Sequence, residues 1–279
     1  MISCKDYVKI KKELNKKRIA DLFGVPRLAV IQIDDNPASN SYIKGKKADC
    51  EDVGVILEHH KFNSNETSQA SLEDFICQLS NRHNVDGIII QLPIPSKYNL
   101  NDLLKCISPN KDVDGFRRDS KFKSCTPKGI IDWLDYNNYQ FEGKHAVVLG
   151  RSDIVGKPLV DMLIDKGCTV TCCNSKTKNY ESIFKTANLI ISAIGKPKFW
   201  TSDSFICGRD TIDCIVDVGI NRDDSGKLCG DVYIENAEID FPNTYITPVP
   251  GGVGLLTRMA LVDNTIESYL NSIDKERLI

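Results

Sequence analysis

The sequence predicts an α/β protein built from two parallel-sheet units, on three observations. Short apolar runs of β-prone residues alternate with stretches of helical periodicity along most of the chain. An irregular stretch over 109–127 interrupts this alternation once. The pieces on either side hold ~115 and ~130 residues, each near usual domain size.

Taken in order, residues 5–22 form a charged, amphipathic helix. RLAVIQI (27–33) is a strand closed by the turn-prone Asp34-Asp35-Asn36-Pro37. A helix from about Ser39 to Val53 precedes a second strand, GVILEHHKF (54–62). A helix near 69–82 leads to VDGIIIQLP (85–93), apolar enough to be buried on both faces. A short helix sits near 99–107, and TPKGIIDWLDYN (126–137) is a bridging helix. The second alternation has strands near 145–149, 168–173, 188–193, 213–218 and 244–247. A helix over about 254–272 follows a loop rich in Pro and Gly.

Hydrophobic residues make up 41% and charged residues 27%, the profile of a soluble globular chain. The net charge of −2 gives no bulk pull toward nucleic acid or an acidic membrane. No apolar run approaches the ~20 residues of a membrane span. MISCKDYVKIKKELNKKR is basic without an apolar core behind it, so it reads as a helix rather than a signal peptide. The 11 cysteines are scattered without a C-x-x-C pair, and His59-His60 lacks ligand spacing. Reduced thiols in a cytoplasmic protein, with no metal site, are expected.

VVLGRSDIVGKP (147–158) reads as strand, glycine turn and helix start, with Leu159, Met162 and Leu163 at helical spacing. Such a turn gathers backbone N–H groups at a helix N-terminus, which suits a phosphate. The strict G-x-G-x-x-G spacing is absent, so an ordinary βα turn stays open as the alternative. After the next strand, where an NAD site normally carries Asp or Glu, stand Asn174, Ser175 and Lys176. With Arg151 in the turn, these favour a 2′-phosphate, hence NADP.

Four further clusters are candidates. Tyr42 and Lys46 share one helix face, a ring beside an amine whose pKa a cationic substrate would lower. The alternative is a solvated face carrying Lys44, Lys46 and Lys47. Gln91 ends a buried strand, where ligands of open α/β sheets bind, and its amide both donates and accepts. Asp112 and Asp114 in KDVDG can accept N–H groups of a heterocycle, bind a cation, or simply cap a turn. PVPGGVG (248–254) allows close backbone approach to a ligand, or serves as a stiff connector.

In this order, SYIKGKKA (41–48), DGIIIQLPIP (86–95), PNKDVDGF (109–116), CTPKGI (125–130), VVLGRSDIVGKP, VDVGINR (216–222), GDV (230–232) and ITPVPGGVG (246–254) resemble one family. It is the bifunctional methylenetetrahydrofolate dehydrogenase/methenyltetrahydrofolate cyclohydrolase family. The resemblance implies an N-terminal α/β folate domain (1–116 plus 255–279) and a Rossmann-type NADP domain (117–254) with a cleft between them. It also implies a homodimer, and an amine at Lys46 facing the nicotinamide. Lys46 matches the catalytic lysine, Gln91 its hydrogen-bond partner, Asp114 the aspartate holding the pterin and Tyr42 the ring stacking on folate. Pro250 and Gly251 fall at the substrate, and Gly150, Arg151, Ser152, Ile154, Ser175 and Ile220 at the NADP. A member keeping one reaction, or a silent NADP- or folate-binding protein, are the alternatives. Three features depart from the family pattern: a shorter FRRDSKFKS segment with Arg117-Arg118 for His-Pro, Ser124 for proline, and Leu255-Leu256 for Pro-Met.

Overall fold

The computed structural model describes residues 1–20, 22 and 24–277. The chain divides into two compact units. The first comprises Lys9–Cys125 with the chain from Arg258 on, and the second Met1–Val8 with Thr126–Thr257.

In the first unit, β1 (Arg27–Ile33) lies between β2 (Ile56–Phe62) and β3 (Gly87–Ile90), all parallel. β1 and β3 are buried almost throughout, following the apolar LAVI and III runs within them, while β2 is a partly exposed edge. The first helix, α1 (Cys4–Ala20), covers the expected 5–22 except at its end; Asp21 lies outside the described residues. So do Leu278 and Ile279 of the expected 255–279 segment.

Helix α2 (Pro37–Val53) starts two residues earlier than expected because Asn36 caps it. The Asn36 side chain accepts the Ala38 and Ser39 N–H groups, and Pro37 fills the first position. Gly54, at φ 97°, closes it in the left-handed conformation. Leu72, Ile76 and Leu79 of α3 (Gln69–Asn81) pack with Ile31, Ile88 and Ile90 in one core. After α4 (Leu100–Lys105) the chain runs alongside β3. There the Ile88 N–H donates to the Lys111 carbonyl at 2.8 Å and Asp112 bridges Ile88.

The second unit opens with α5 (Cys125–Tyr136), whose residues from Thr126 on belong to it. Its parallel sheet has the order β12-β8-β6-β4-β5. These are β4 (His145–Leu149), β5 (Thr169–Cys173), β6 (Leu189–Ser192), β8 (Cys214–Asp217) and β12 (Tyr245–Ile246). The order reverses between β4 and β6, the point where open α/β sheets bind ligands. Helices α6 (Gly156–Asp165) and α7 (Tyr180–Phe184) follow β4 and β5. β7 (Trp200–Thr201) pairs with β11 (Val232–Tyr233), and β9 (Asn221–Arg222) forms a hairpin with β10 (Leu228–Cys229). α8 (Ser202–Phe205) and α9 (Ala237–Asp240) are single turns, and α10 (Val253–Arg277) ends the described chain. β12 falls within the strand expected near 244–247, whereas β7, β9, β10, β11 and the single turns are too short to leave a periodic signature and are absent from the expected elements.

Met1–Val8, expected with the folate domain, clusters with the second unit instead. The Ile2 N–H donates to Asn137 Oδ1 at 2.6 Å, Trp133 Nε1 donates to the Ile2 carbonyl at 3.1 Å, and Tyr7 meets Tyr136 edge-on at 5.3 Å. Among the described residues, no helix is long and apolar enough to cross a membrane.

Candidate active site

The first unit assembles one site around α2. Ile43, Lys46, Cys50 and Val53 form its buried face, whereas Lys44 and Lys47 are exposed. Lys46 is therefore no part of a solvated lysine face; it is only 5% exposed. Its Nζ donates to Gln91 Oε1 at 3.0 Å. Gln91 is the first residue past β3, and its own N–H donates to the Ile31 carbonyl at 2.8 Å. Its Nε2 donates to the Leu92 carbonyl at 2.8 Å, which turns the oxygen toward the amine. Tyr42, one turn before Lys46, holds its ring centroid 5.1 Å from the same Nζ.

Burial lowers the Lys46 amine below the ordinary lysine value, against the upward pull of Asp114, with Arg258 adding to the decrease. Burial raises the Asp114 carboxyl, against the lowering effect of Lys46. Both groups thus move toward their neutral forms.

The two aspartates of KDVDG, alike by residue type and told apart in the sequence only by the resemblance, which points to Asp114, separate here. Asp112 is 1% exposed and its Oδ2 accepts the Arg117 N–H at 2.9 Å, so it holds the turn. Asp114, two residues further, is the one that couples to Lys46. Arg117 also fastens the 116–124 segment. Its guanidinium donates twice to Asp119, each at 2.8 Å, and once to the Leu104 carbonyl at 2.8 Å.

Arg258 and Asp49 were missed by sequence reasoning. Arg258 Nε pairs with Asp49 Oδ2 at 2.7 Å, and Lys12 Nζ with Asp49 Oδ1 at 2.7 Å. The guanidinium lies so close to α2 that a Cβ on Gly45 would stand 2.2 Å from Arg258 Nη1. The available signal was the glycine beside the lysine with an aspartate four residues on, one helical turn apart on the same face.

A second site forms in the second unit at the β4–β6 reversal. Leu149 and Cys173 are register partners, so Arg151 and Ser175 each follow two residues beyond paired strand ends. Both are exposed. Gly150 has φ 121°, and a Cβ there would stand 2.4 Å from the Ala193 carbonyl oxygen. A Cβ on Gly156 would stand 2.3 Å from the Gly150 carbonyl oxygen. Ser152 Oγ accepts the Val155 and Gly156 N–H groups at 3.3 and 3.4 Å, shaping the turn into α6. This narrow turn, with a cation and hydroxyls around it and no carboxylate at the end of β5, fits a phosphate-bearing dinucleotide. Ile154 is half-buried, Ile220 is 58% exposed, and Pro250 is exposed beside Gly251 at φ 102°.

A parallel-sheet unit with a glycine turn at its reversal point, together with another unit that carries a buried amine, defines a two-domain α/β enzyme of the nucleotide-dependent kind. Residues 2–114 match the family model described as the catalytic domain of tetrahydrofolate dehydrogenase/cyclohydrolase, and residues 124–273 match its NAD(P)-binding domain. Bifunctional protein FolD of Bacillus cytotoxicus is 43% identical over 253 residues, 88% of this chain and 86% of that one. The solved bifunctional FolD from Campylobacter jejuni is 37% identical with TM-score 0.88, covering 96% of this chain and 98% of that one. The Trypanosoma brucei N5,N10-methylenetetrahydrofolate dehydrogenase-cyclohydrolase, solved with NADP and an inhibitor, is 26% identical with TM-score 0.86, covering 98% of each chain. The chain belongs to the tetrahydrofolate dehydrogenase/cyclohydrolase family.

Proposed function

We propose that Lys46, Gln91 and Asp114 carry the two activities of this bifunctional enzyme. These are oxidation of 5,10-methylenetetrahydrofolate to the 5,10-methenyl form with NADP, and hydrolysis of that form to 10-formyltetrahydrofolate. The observation that carries the reading is the buried Lys46 amine, held at 3.0 Å by Gln91 and shifted toward neutrality.

The turn of Gly150, Arg151, Ser152 and Ile154, with Ser175, Ile220 and the α6 N-terminus, is where NADP would be held. Bound there, it supplies the hydride acceptor for the first step. That step needs no proton acceptor, since the methenyl product is a delocalised cation. The chain's contribution is to position the donor carbon, with Tyr42 as the platform for the flat ring and Asp114 holding the pterin N–H edge. Pro250 and Gly251 belong on the substrate side. Hydrolysis is different: water adds to the cation and a proton must leave. A neutral Lys46 amine accepts it, and Gln91 fixes where that amine points.

Lys46→Met keeps a similar stem and removes the amine. Hydrolysis of the methenyl substrate, followed by its absorbance, should fall at least ~100-fold, the scale of one general base. Full retention excludes the role. A member keeping one reaction is the second reading, and the intact Tyr42, Lys46, Gln91 and Asp114 set argues against it. Assays of both reactions on the wild type, with NADP and NAD side by side, decide it. The same reading places the enzyme in one-carbon metabolism, feeding purine biosynthesis, as a cytoplasmic homodimer without membrane or nucleic-acid partners. The family resemblance and the modest net charge support this, and light scattering tests the dimer.

A further inference from the structure

We propose that Asp231, backed by Asp217, is a positioning residue that sets the loops on the cofactor side of the second unit's sheet. It rests on the reading that this unit holds NADP.

Asp231 is 0% exposed and carries an unusual load of donors. Its Oδ2 accepts Ser192 Oγ at 3.0 Å and the Ile194 and Gly195 N–H groups at 2.8 and 3.2 Å. Its Oδ1 accepts the Lys196 N–H at 2.9 Å and Asn221 Nδ2 at 2.9 Å. One carboxylate therefore gathers the loop after β6 and the residue next to Ile220. Asp217, 2% exposed at the end of β8, holds the holder. Its Oδ1 accepts the Gly219 and Asp231 N–H groups at 2.9 and 3.0 Å, and its Oδ2 accepts the Val232 N–H at 2.9 Å. The Asp217 N–H donates to Thr247 Oγ1 at 2.8 Å, just before the 248–254 loop.

Two glycines make this approach possible. A Cβ on Gly219 would stand 2.3 Å from Asp231 Oδ1, and one on Gly230 would stand 1.8 Å from Asp217 Oδ2. The gathered segments lie at the carboxyl ends of β6 and β8, where open α/β sheets take their ligands. Ala193, in the first of these loops, is the residue whose carbonyl crowds Gly150. A carboxylate can accept on both oxygens, whereas a side-chain amide accepts on one and donates from the other end. An amide at 231 would turn a donor toward donors on one side, freeing one loop or the other.

Asp231→Asn and the milder Ser192→Ala test this by three measurements on the intact protein. These are calorimetric NADP binding, hydrogen exchange of the peptide holding Ile194–Lys196, and hydrolysis of the methenyl substrate without nucleotide. Asp231→Asn should weaken NADP binding about tenfold or more, as expected for unpairing buried donors. It should also speed exchange at Ile194–Lys196, with hydrolysis held within about twofold. Ser192→Ala should give about a threefold weakening with hydrolysis intact. Unchanged NADP affinity and exchange in both variants overturns the proposal. So does parallel loss of hydrolysis and affinity in Ser192→Ala, which would mark a purely structural role. Wild-type protein that takes up no NADP sinks the underlying reading, and this proposal with it.

Discussion

Lys46 shows what a single residue's surroundings decide. Ile43, Cys50 and Val53 place it on the apolar stripe of α2, and the stripe was there to be read at i, i+3, i+7 and i+10. The choice between Asp112 and Asp114 came from the resemblance, which points to Asp114; residue type alone does not make it, because it depends on which carboxylate receives the Arg117 N–H. A buried amine with a lowered pKa is neutral over a wider range, so base-assisted hydrolysis should climb as pH rises through that lowered value. Gln91→Glu sets a negative charge at the position of Oε1, 3.0 Å from Nζ. A carboxylate there favours the ammonium form, so a higher pH is needed to reach the free amine. The rising limb of the hydrolysis kcat/KM profile should move to higher pH by about one unit or more, the usual effect of a close opposite charge. A limb that stays put, or moves down, removes Lys46 as the titrating base.

At the scale of elements, the principal strands and helices followed from periodicity, with ends shifted where a cap or turn decided them. Asn36 advanced α2, and β3 shortened to Gly87–Ile90 because the chain leaves the sheet at Gln91. Arg151 and Ser175 were named from their residue types; the β4–β5 register explains why they belong together, and register is a tertiary fact. The same turn yields a sharp expectation. The three atoms nearest a methyl group on Gly156 are all backbone: the Gly150 carbonyl oxygen at 2.3 Å, the Gly150 carbonyl carbon at 2.8 Å and Arg151 Cα at 2.9 Å. None of these is the end of a flexible side chain, so Gly156→Ala must open the turn. NADP binding by calorimetry should weaken about tenfold or more, at the ~1–3 kcal/mol typical of overpacking. Hydrolysis of the methenyl substrate without nucleotide should persist. Equal NADP affinity in the variant would mean that this turn does not grip the cofactor.

For the molecule as a whole, the two alternations in the sequence announced two units, but not how the chain is shared between them. It passes between them at Val8/Lys9, Cys125/Thr126 and Thr257/Arg258, so neither unit is one continuous piece. The first unit depends on a helix that arrives last. Asn264 Nδ2 donates to the Val113 and Lys123 carbonyls at 2.8 and 3.1 Å. Ser268 Oγ lies 2.6 and 2.7 Å from the Asp86 and Asn110 carbonyl oxygens, which share its one proton. Met259, Leu261, Val262 and Ile266 are each no more than 1% exposed. Their burial contributes on the order of 6–12 kcal/mol, which rivals the ~5–15 kcal/mol net stability of an ordinary domain. A fragment of residues 9–125 should therefore lack a cooperative thermal transition and fixed near-ultraviolet circular dichroism, although it contains Tyr42, Lys46, Gln91 and Asp114 intact. A sharp, reversible melt of that fragment would show that α10 is dispensable to the unit, and that the buried amine is held by β1, β3 and α2 alone.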